Sequence, residues 1–478
     1  MTYRPTKKLT VAIAGISAAA LVLTACGGSS SSTTSSSSEA GSAAATSAAA
    51  AEGSGSAAAP AGPASATSDW CEQAKALGDI TGKSVTVYST IVAPEDAPYR
   101  EAFKAFTDCT GATATYDGSK EFEAQIGVRV NSGNPPDVAW FPQPGLLSQL
   151  VNTTGAVKPM TPEFEEWVKT YYSEDWLQYG VVNDIPFGIP GNADFKSLVW
   201  YSPKTFAEKG YTVPTTWEEL QALTDKIAAT GEKPWCIGIK SGEATGWQIT
   251  DWLEEYVLRY GGPDVYDQWV SHDVKFTDQP IAEALAEVGA LLKDPKYVNG
   301  GFGDVQTIAS TEFNDVKTPL LDGKCTLSRQ AANFDSNFKD KVIGPDGDID
   351  AFYFPAANED FGKPILGGGT IAAAFADRPE VQAFMYFLAR PEYATARAAL
   401  GSYISPNLGL QVDSVPSEVQ KTALKTFQDP DATFRFDASD LMPAPVGSDA
   451  EWKQFTAWIT GQDDATTLAN IDAAWPAS

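Results

Sequence analysis

PFGIPGNADFKSLVWY, residues 186–201, carries two kinds of signal. Pro and Gly break the segment from Pro186 to Gly191; polar Asn192, Asp194 and Lys196 follow; and Leu198 to Tyr201 is an apolar run of strand length. That order describes a chain crossing from one sheet to another, with polar groups presented just before the backbone is captured again. Taken alone, the stretch better suits an ordinary loop between two strands. Its neighbours decide.

Upstream, Ser84 to Tyr88 alternates as a strand, and a helix with Ala102, Phe103 and Phe106 at helical spacing runs to a stop at Gly111. Ala112 to Tyr116 is a second strand, Phe122 to Val130 an amphipathic helix and Asp137 to Phe141 a third strand. This β-α-β-α-β run predicts a parallel sheet covered on both faces, with ligands at the carboxyl ends of its strands. Those ends are Ser89 to Pro94, Asp117 to Phe122 and Phe141 to Leu146.

Downstream the style repeats. Thr216-Trp-Glu-Glu219 is a capping box opening a helix to about Ala229. Trp235 to Ile239 reads as a strand, Thr245 to Tyr260 and Pro280 to Lys293 as helices, and Lys324 to Leu327, Ala351 to Phe354 and Ile371 to Phe375 as strands. Helices at Glu380 to Leu388 and Tyr393 to Leu400 precede the breaker Ser405-Pro-Asn407 and a mostly helical tail. Breaks therefore fall at Pro186 to Gly191, Pro364 to Gly369 and Tyr403 to Asn407. If each is a crossing, the fold is α/β with two lobes, each built from separated pieces and able to hinge over a ligand.

The ends are not part of that fold. Met1 to Cys26 has a basic start, an apolar run of about 15 residues where a span needs roughly 20, and small residues before a cysteine. Leu23-Thr-Ala-Cys26 resembles the lipobox of bacterial lipoproteins, which implies lipidation at Cys26. Residues 27–68 hold no aromatic residue, no aliphatic larger than Ala and no Lys or Arg, so they read as a disordered tether. The remainder is long enough for two domains.

Four cysteines remain in an exported chain, an even number that suggests two disulfides. Three connectivities are open; the expected one is Cys71 with Cys109, pinning the start of the domain to its first helix, and Cys236 with Cys325. One histidine, His272, and no CxxC spacing make a metal site improbable, and no cofactor is expected. The net charge of -27 argues against nucleic acid, whose phosphates need clustered Lys and Arg. It suits a dispersed extracytoplasmic protein.

From Lys83 to its C-terminus the chain resembles the extracellular solute-binding proteins of bacterial ABC sugar importers, of the large two-lobe type that includes the maltodextrin-binding protein. The α-glucoside-binding lipoproteins are the most similar subgroup. The features that carry the resemblance are the lipobox and tether, Asn134-Pro-Pro-Asp-Val-Ala-Trp140, Gly188-Ile-Pro190 leading to Ser197-Leu-Val-Trp-Tyr201, and Val213-Pro-Thr-Thr-Trp-Glu-Glu-Leu220. Gly367-Gly-Gly-Thr-Ile-Ala-Ala-Ala-Phe375 and Met442-Pro-Ala-Pro445 ahead of Trp452 complete the set. The resemblance implies a periplasmic-binding-protein-like fold with three interlobe crossings and a central cleft. Lobe 1 is expected at 69–189 and 369–404, and lobe 2 at 190–368 and 405–478. It also implies a monomer that is no enzyme, anchored by lipid at the extracytoplasmic face of the cell membrane. Such a protein hands a sugar, an α-glucoside or maltooligosaccharide, to ABC permease subunits.

Sugar recognition places aromatic faces on the C–H faces of the ring, and carboxylates, amides or guanidinium groups on hydroxyls that both donate and accept. Trp452 follows a Met-Pro-x-Pro turn similar to the one that places a stacking Trp in the maltodextrin-binding protein. Trp247 opens a helix at the corresponding place in the second lobe, and Asn333 and Phe334 occupy a strand end after Arg329. The first lobe offers Asp96, Glu121, Phe141 and Gln143 at strand ends, and the crossing offers Asn192 and Asp194, with Lys196 able to pair with Asp194. Gly368 and Gly369 would let backbone approach the ligand. A core Trp, a structural Arg ion pair and a solvated Lys120-Glu121 surface are the competing readings. Asp346-Gly-Asp-Ile-Asp350 lacks the glycine and terminal glutamate of a calcium loop. No nucleotide loop or hydrolase motif is present, and nothing marks the paired carboxyls of a glycoside hydrolase, one rival reading; the other keeps the binding fold with a different small polar ligand, such as a polyamine or a phosphorylated polyol.

Overall fold

Strand β1 (Ser84–Ser89) alternates because its two faces meet different cores: Val85 and Val87 lie on one side and Tyr88 on the other. The computed structural model describes residues 69–427, 429 and 432–477, so the leader, the tether and Cys26 lie outside the described residues. β1 is flanked on both sides by parallel strands, β2 (Thr113–Gly118) and β3 (Val138–Phe141), with Val87 opposite both Tyr116 and Val138. The first core holds Trp140 with Phe103, Phe106 and Phe384; the second holds Ala139 and Phe141 with Phe122, Ile126 and Leu147. Period-two alternation thus sandwiches the sheet between two helical layers.

A short hairpin, β4 (Val181–Val182) with β5 (Ile185–Pro186), precedes β6 (Gly188–Phe195) and β7 (Leu198–Tyr201). β7 is the centre of a second, antiparallel sheet between β8 (Ser328–Arg329) and β9 (Asp350–Tyr353). The chain then returns as β10 (Lys363–Ala374), which pairs with β3 and β6 and, in parallel, with β11 (Ala432–Phe436). The larger sheet therefore runs β11-β10-β3-β1-β2, with β6 also on β10. Trp235 to Ile239 makes isolated bridges from Trp235 to Val298 and Leu327 in place of the expected strand. The Asn299 side chain accepts from the Ile237 N–H at 2.9 Å, taking the place of a neighbouring strand. Disulfides join Cys71 to Cys109 and Cys236 to Cys325, with Cα atoms 5.9 and 5.8 Å apart.

Sheet membership moves the crossings from the expected breakers. Pro190 and Gly191 sit inside β6, Pro190 opposite Ile371 where the register shifts, so the missing N–H falls at an irregularity. The first crossing is Lys196-Ser197. Gly367 to Gly369 lie within β10 and serve close approach, not a turn: a Cβ on Gly369 would stand 2.1 Å from the Asn192 carbonyl oxygen. The second crossing is 354–362. Tyr403 to Asn407 stay with the larger sheet, since Tyr403 Oη donates to the Gly191 carbonyl at 2.7 Å and the Ala193 N–H donates to that of Ile404 at 2.9 Å. The chain is still in the larger sheet at β11, which pairs with β10, so it leaves that sheet later than the expected boundary at 405. The third crossing is Asp437, after which Ala438, Met442, Phe455 and Trp458 enter the second sheet's core.

These crossings are tied to one another. The Lys196 N–H donates to Leu366 O at 2.9 Å, the Leu366 N–H donates to Ser197 Oγ at 2.8 Å, and the Asp437 N–H donates to Gly367 O at 2.7 Å. Lys196 Nζ pairs with Asp437 and with Asp251 Oδ1, the latter at 3.0 Å. Asp251 and Glu255, four residues apart and so on one face of the helix Trp247–Tyr256, are bridged by Arg329 at 2.9 and 3.1 Å. Removing one partner of a buried ion pair strands the other charges. Lys196→Met should therefore destabilise the protein by about 3–5 kcal/mol, read as a lower urea midpoint at pH 7. An unchanged midpoint would deny the network that role.

Candidate functional site

The strand ends of the larger sheet, the first crossing and the Trp247 helix converge on one cavity of about 370 Å³. β1 delivers Thr90 to Glu95, β2 delivers Lys120 and Glu123, and β3 delivers Pro142 and Gln143. Asn192, Asp194 and Lys196 from the β6 end form the floor beside Gly369 and Thr370 of β10. The facing wall comes from Trp247, Phe313, Asn333, Phe334, the Asp437–Asp440 turn and Trp452.

Local folding explains why the two tryptophans share that wall. Gly246 has φ +121, and a Cβ there would lie 2.3 Å from the Trp452 carbonyl oxygen, so a bare glycine lets the start of the Trp247 helix dock on the helix Glu451–Ile459. Trp247 meets Phe313 edge-on at 5.2 Å, and Lys196 Nζ lies 5.5 Å from its ring centre. Trp452 is 4% exposed, much more enclosed than Trp247.

The polar groups are constrained in distinct ways. Asn192 Nδ2 donates to Asp194 Oδ1 at 2.9 Å, and Thr370 Oγ1 donates to Asn192 Oδ1 at 2.5 Å. Lys196 turns away from Asp194 to Asp251 and Asp437, correcting the expected pairing. Burial raises the Asp194 carboxyl, partly offset by the Lys196 charge. Burial, then the charges of Asp194 and Asp335, push Glu95 up to about 8, and burial pushes Glu123 up to about 7. Asp437 behaves oppositely: burial would raise it, but the Lys196 charge and hydrogen bonds from Lys196 and Ser439 hold it down to about 2. Burial and the Asp437 charge raise Asp440 well above the carboxylate range. Carboxylate oxygens of Asp251, Glu254 and Asp437 lie within 4.8 Å of one another. The Lys196 ammonium already supplies the positive charge there.

Of the residues singled out from sequence, the structure brings Trp452, Trp247, Asn192, Asp194, Lys196, Gln143, Asn333, Phe334 and Gly369 to the cavity. Five lie elsewhere. Asp96 pairs with Arg100 at 3.0 Å along its own helix. Glu121 precedes the helix Phe122–Asn131 and sets its carboxylate against Gly242. Phe141 packs in the core against Phe122 and Phe375. Arg329 has both ends committed to Asp251 and Glu255. Gly368 sits in the β10–β6 ladder opposite Asp194, beneath the Lys196 stem. Sequence reasoning missed Glu95, Glu123, Glu312, Asp437 and Asp440. The last two had a visible signal, since Asp437-Ala-Ser-Asp440 is an N-capping turn in which the Asp440 N–H donates to Asp437 Oδ1 at 3.0 Å.

The chain is 36% identical over 419 residues to the alpha-glucosides-binding periplasmic protein AglE of Rhizobium meliloti (strain 1021), covering 84% of this chain and 89% of AglE. It is 36% identical over 412 residues to the osmoprotective compounds-binding protein GgtB of Synechocystis sp. (strain ATCC 27184 / PCC 6803 / Kazusa), covering 85% and 96%. Among solved structures, the bacterial solute receptor AcbH, described with an exclusive preference for β-D-galactopyranose, superposes with a TM-score of 0.70. That match is at 17% identity over 83% of this chain and 97% of AcbH, a likeness of fold. Residues 91–395 match the family described as bacterial extracellular solute-binding protein, and with the two-lobe architecture and its cavity already in view, the chain belongs to that family.

Proposed function

We propose that this protein captures a neutral sugar, an α-glucoside or maltooligosaccharide, between its lobes and delivers it to the permease of an ABC importer. It acts as a monomer held at the outer face of the cell membrane by lipid on Cys26. The observation that carries the reading is Trp247 and Trp452 in one cavity with Asn192, Asp194 and Gln143, since flat rings plus amides and carboxyls are what a sugar's two kinds of surface require. Seven carboxyl side chains and three lysines line that cavity, and no arginine is among the described lining residues. Such a lining disfavours phosphate and carboxylate ligands, which call for guanidinium pairs. The lipobox-like Leu23-Thr-Ala-Cys26 supports attachment through the leader cysteine. Ligand binding energy would favour the closed arrangement, the form a permease would recognise.

A thermal-shift screen tests the reading directly, with maltose, trehalose, glucose 6-phosphate and spermidine as probes. A ligand present at 100 times its Kd stabilises the folded form by about 2.7 kcal/mol. The account expects a shift with a neutral glycoside; a shift with glucose 6-phosphate or spermidine alone, or turnover of the glycoside, would overturn it. Trp247→Ala should then weaken binding by roughly 30-fold, as losing a buried aromatic contact of about 2 kcal/mol does, with little change in the unliganded melting temperature. Unchanged affinity would return Trp247 to a packing role. The enclosed Trp452 is better probed as Trp452→Phe, which keeps a ring in the core.

Protonated carboxyls both donate and accept, so Glu95 and Glu123 match sugar hydroxyls in their neutral form. Both are raised above their unfolded value, so the stability they contribute is present below about pH 4.5 and lost as pH rises through 7 to 8. The unliganded protein should lose melting temperature between pH 5 and pH 8.5. The Glu95→Gln, Glu123→Gln double variant should show a flatter profile over that range; parallel profiles would refute the assignment.

A further inference from the structure

One edge of the cavity is closed by charge from both walls. Lys120 follows β2 of the larger sheet, and Glu312 lies on the facing wall, where the backbone fixes it: the Lys240 N–H donates to Thr311 O at 3.0 Å and the Phe313 N–H donates to Lys240 O at 3.2 Å. The Glu312 carboxylate takes two ammonium groups, Lys120 Nζ at 2.8 Å and Lys240 Nζ at 3.0 Å. Lys120 and Glu312 both line the cavity, yet their side chains are 40% and 31% exposed, so the bridge stands between the cavity and solvent. Beside it Gly242, at φ +58, lets the two segments touch: a Cβ there would lie 2.9 Å from Glu121 Oε1 and 3.2 Å from Lys120 O. A longer sugar chain leaving the cavity on this side would have to pass between these residues.

The volume gives the length that fits. A disaccharide packed as in an organic crystal occupies on the order of 350 Å³, against a cavity of about 370 Å³. We propose that the Lys120–Glu312 bridge sets ligand length at two sugar units, making these two side chains the determinants of size specificity. This rests on the sugar-binding reading above. The exposed pair that crosses from wall to wall, Lys120 with Glu312, is worth up to about fivefold in an equilibrium, and a longer ligand must part it; Lys240, on the same wall as Glu312, holds the carboxylate in place.

The test is calorimetric titration of the full chain with maltose, trehalose, maltotriose and maltotetraose, for wild type, Lys120→Ala and Glu312→Ala. Folding is checked by circular dichroism and melting temperature, and Glu312→Gln replaces any variant that melts early. Wild type should bind its preferred disaccharide about fivefold tighter than maltotetraose, and both bridge variants should shrink that ratio below about twofold. Maltotetraose binding wild type as tightly as a disaccharide would overturn the proposal, as would a ratio unchanged in both variants. Binding to none of the sugars would overturn this inference and the sugar-binding reading together, whereas binding without length dependence overturns this inference alone.

Discussion

The ammonium of Lys196, buried between Asp251 and Asp437, is the contact on which the architecture turns. Lys196 sits on the first crossing and Asp437 on the third, and the backbone at Leu366 and Gly367, just past the second, is hydrogen-bonded to both. Three strands that change sheets are thus joined at one point, and Asp251 and Glu255 fasten that point to a single helix of the second lobe. Burying such charges costs desolvation and yields little net stability, but any other pairing of the strands would leave a carboxylate alone in the interior. The network selects one arrangement of the crossings more than it strengthens the fold.

The same residues make the site. Lys196 and Asp437 line the cavity, so the cavity's floor and the joint between lobes are one structure. Glycines at 367 and 369 bring β10 against its neighbours, which sets Thr370 to hydrogen-bond Asn192 and Asn192 to orient Asp194. A ligand hydroxyl on Asp194 would meet a carboxyl whose orientation is set by both sheet-crossing strands. Contact between ligand and floor is then also contact with the joint.

Much of this was legible in the chain. The β-α-β-α-β opening was, because its alternation reflects two real cores. The tryptophans were, because glycine or proline turns mark where each helix begins. The third crossing was not: Pro406 announces that the backbone turns, but not which sheet captures it next. β11 was hidden in a tail read as helical, although Phe434 and Phe436 alternate with Thr433 and Arg435. Site residues failed by one or two places, Asp96 for Glu95, Glu121 for Glu123 and Gly368 alongside Gly369. Neighbouring residues at a strand end point to opposite faces, and helix residues turn about 100° each, so the sequence marks the loop without marking the side that faces the cavity.

Two lobes that close over a sugar about a shared joint must shorten a distance between them. Spin labels on cysteines placed at two exposed positions, Gln125 in the helix Phe122–Asn131 of the first lobe and Glu243 just ahead of the Trp247 helix of the second, report that motion as a distance distribution. The account expects a long component without sugar that collapses to a single short distance at saturating disaccharide. A distribution left unchanged by a sugar that demonstrably binds would contradict it.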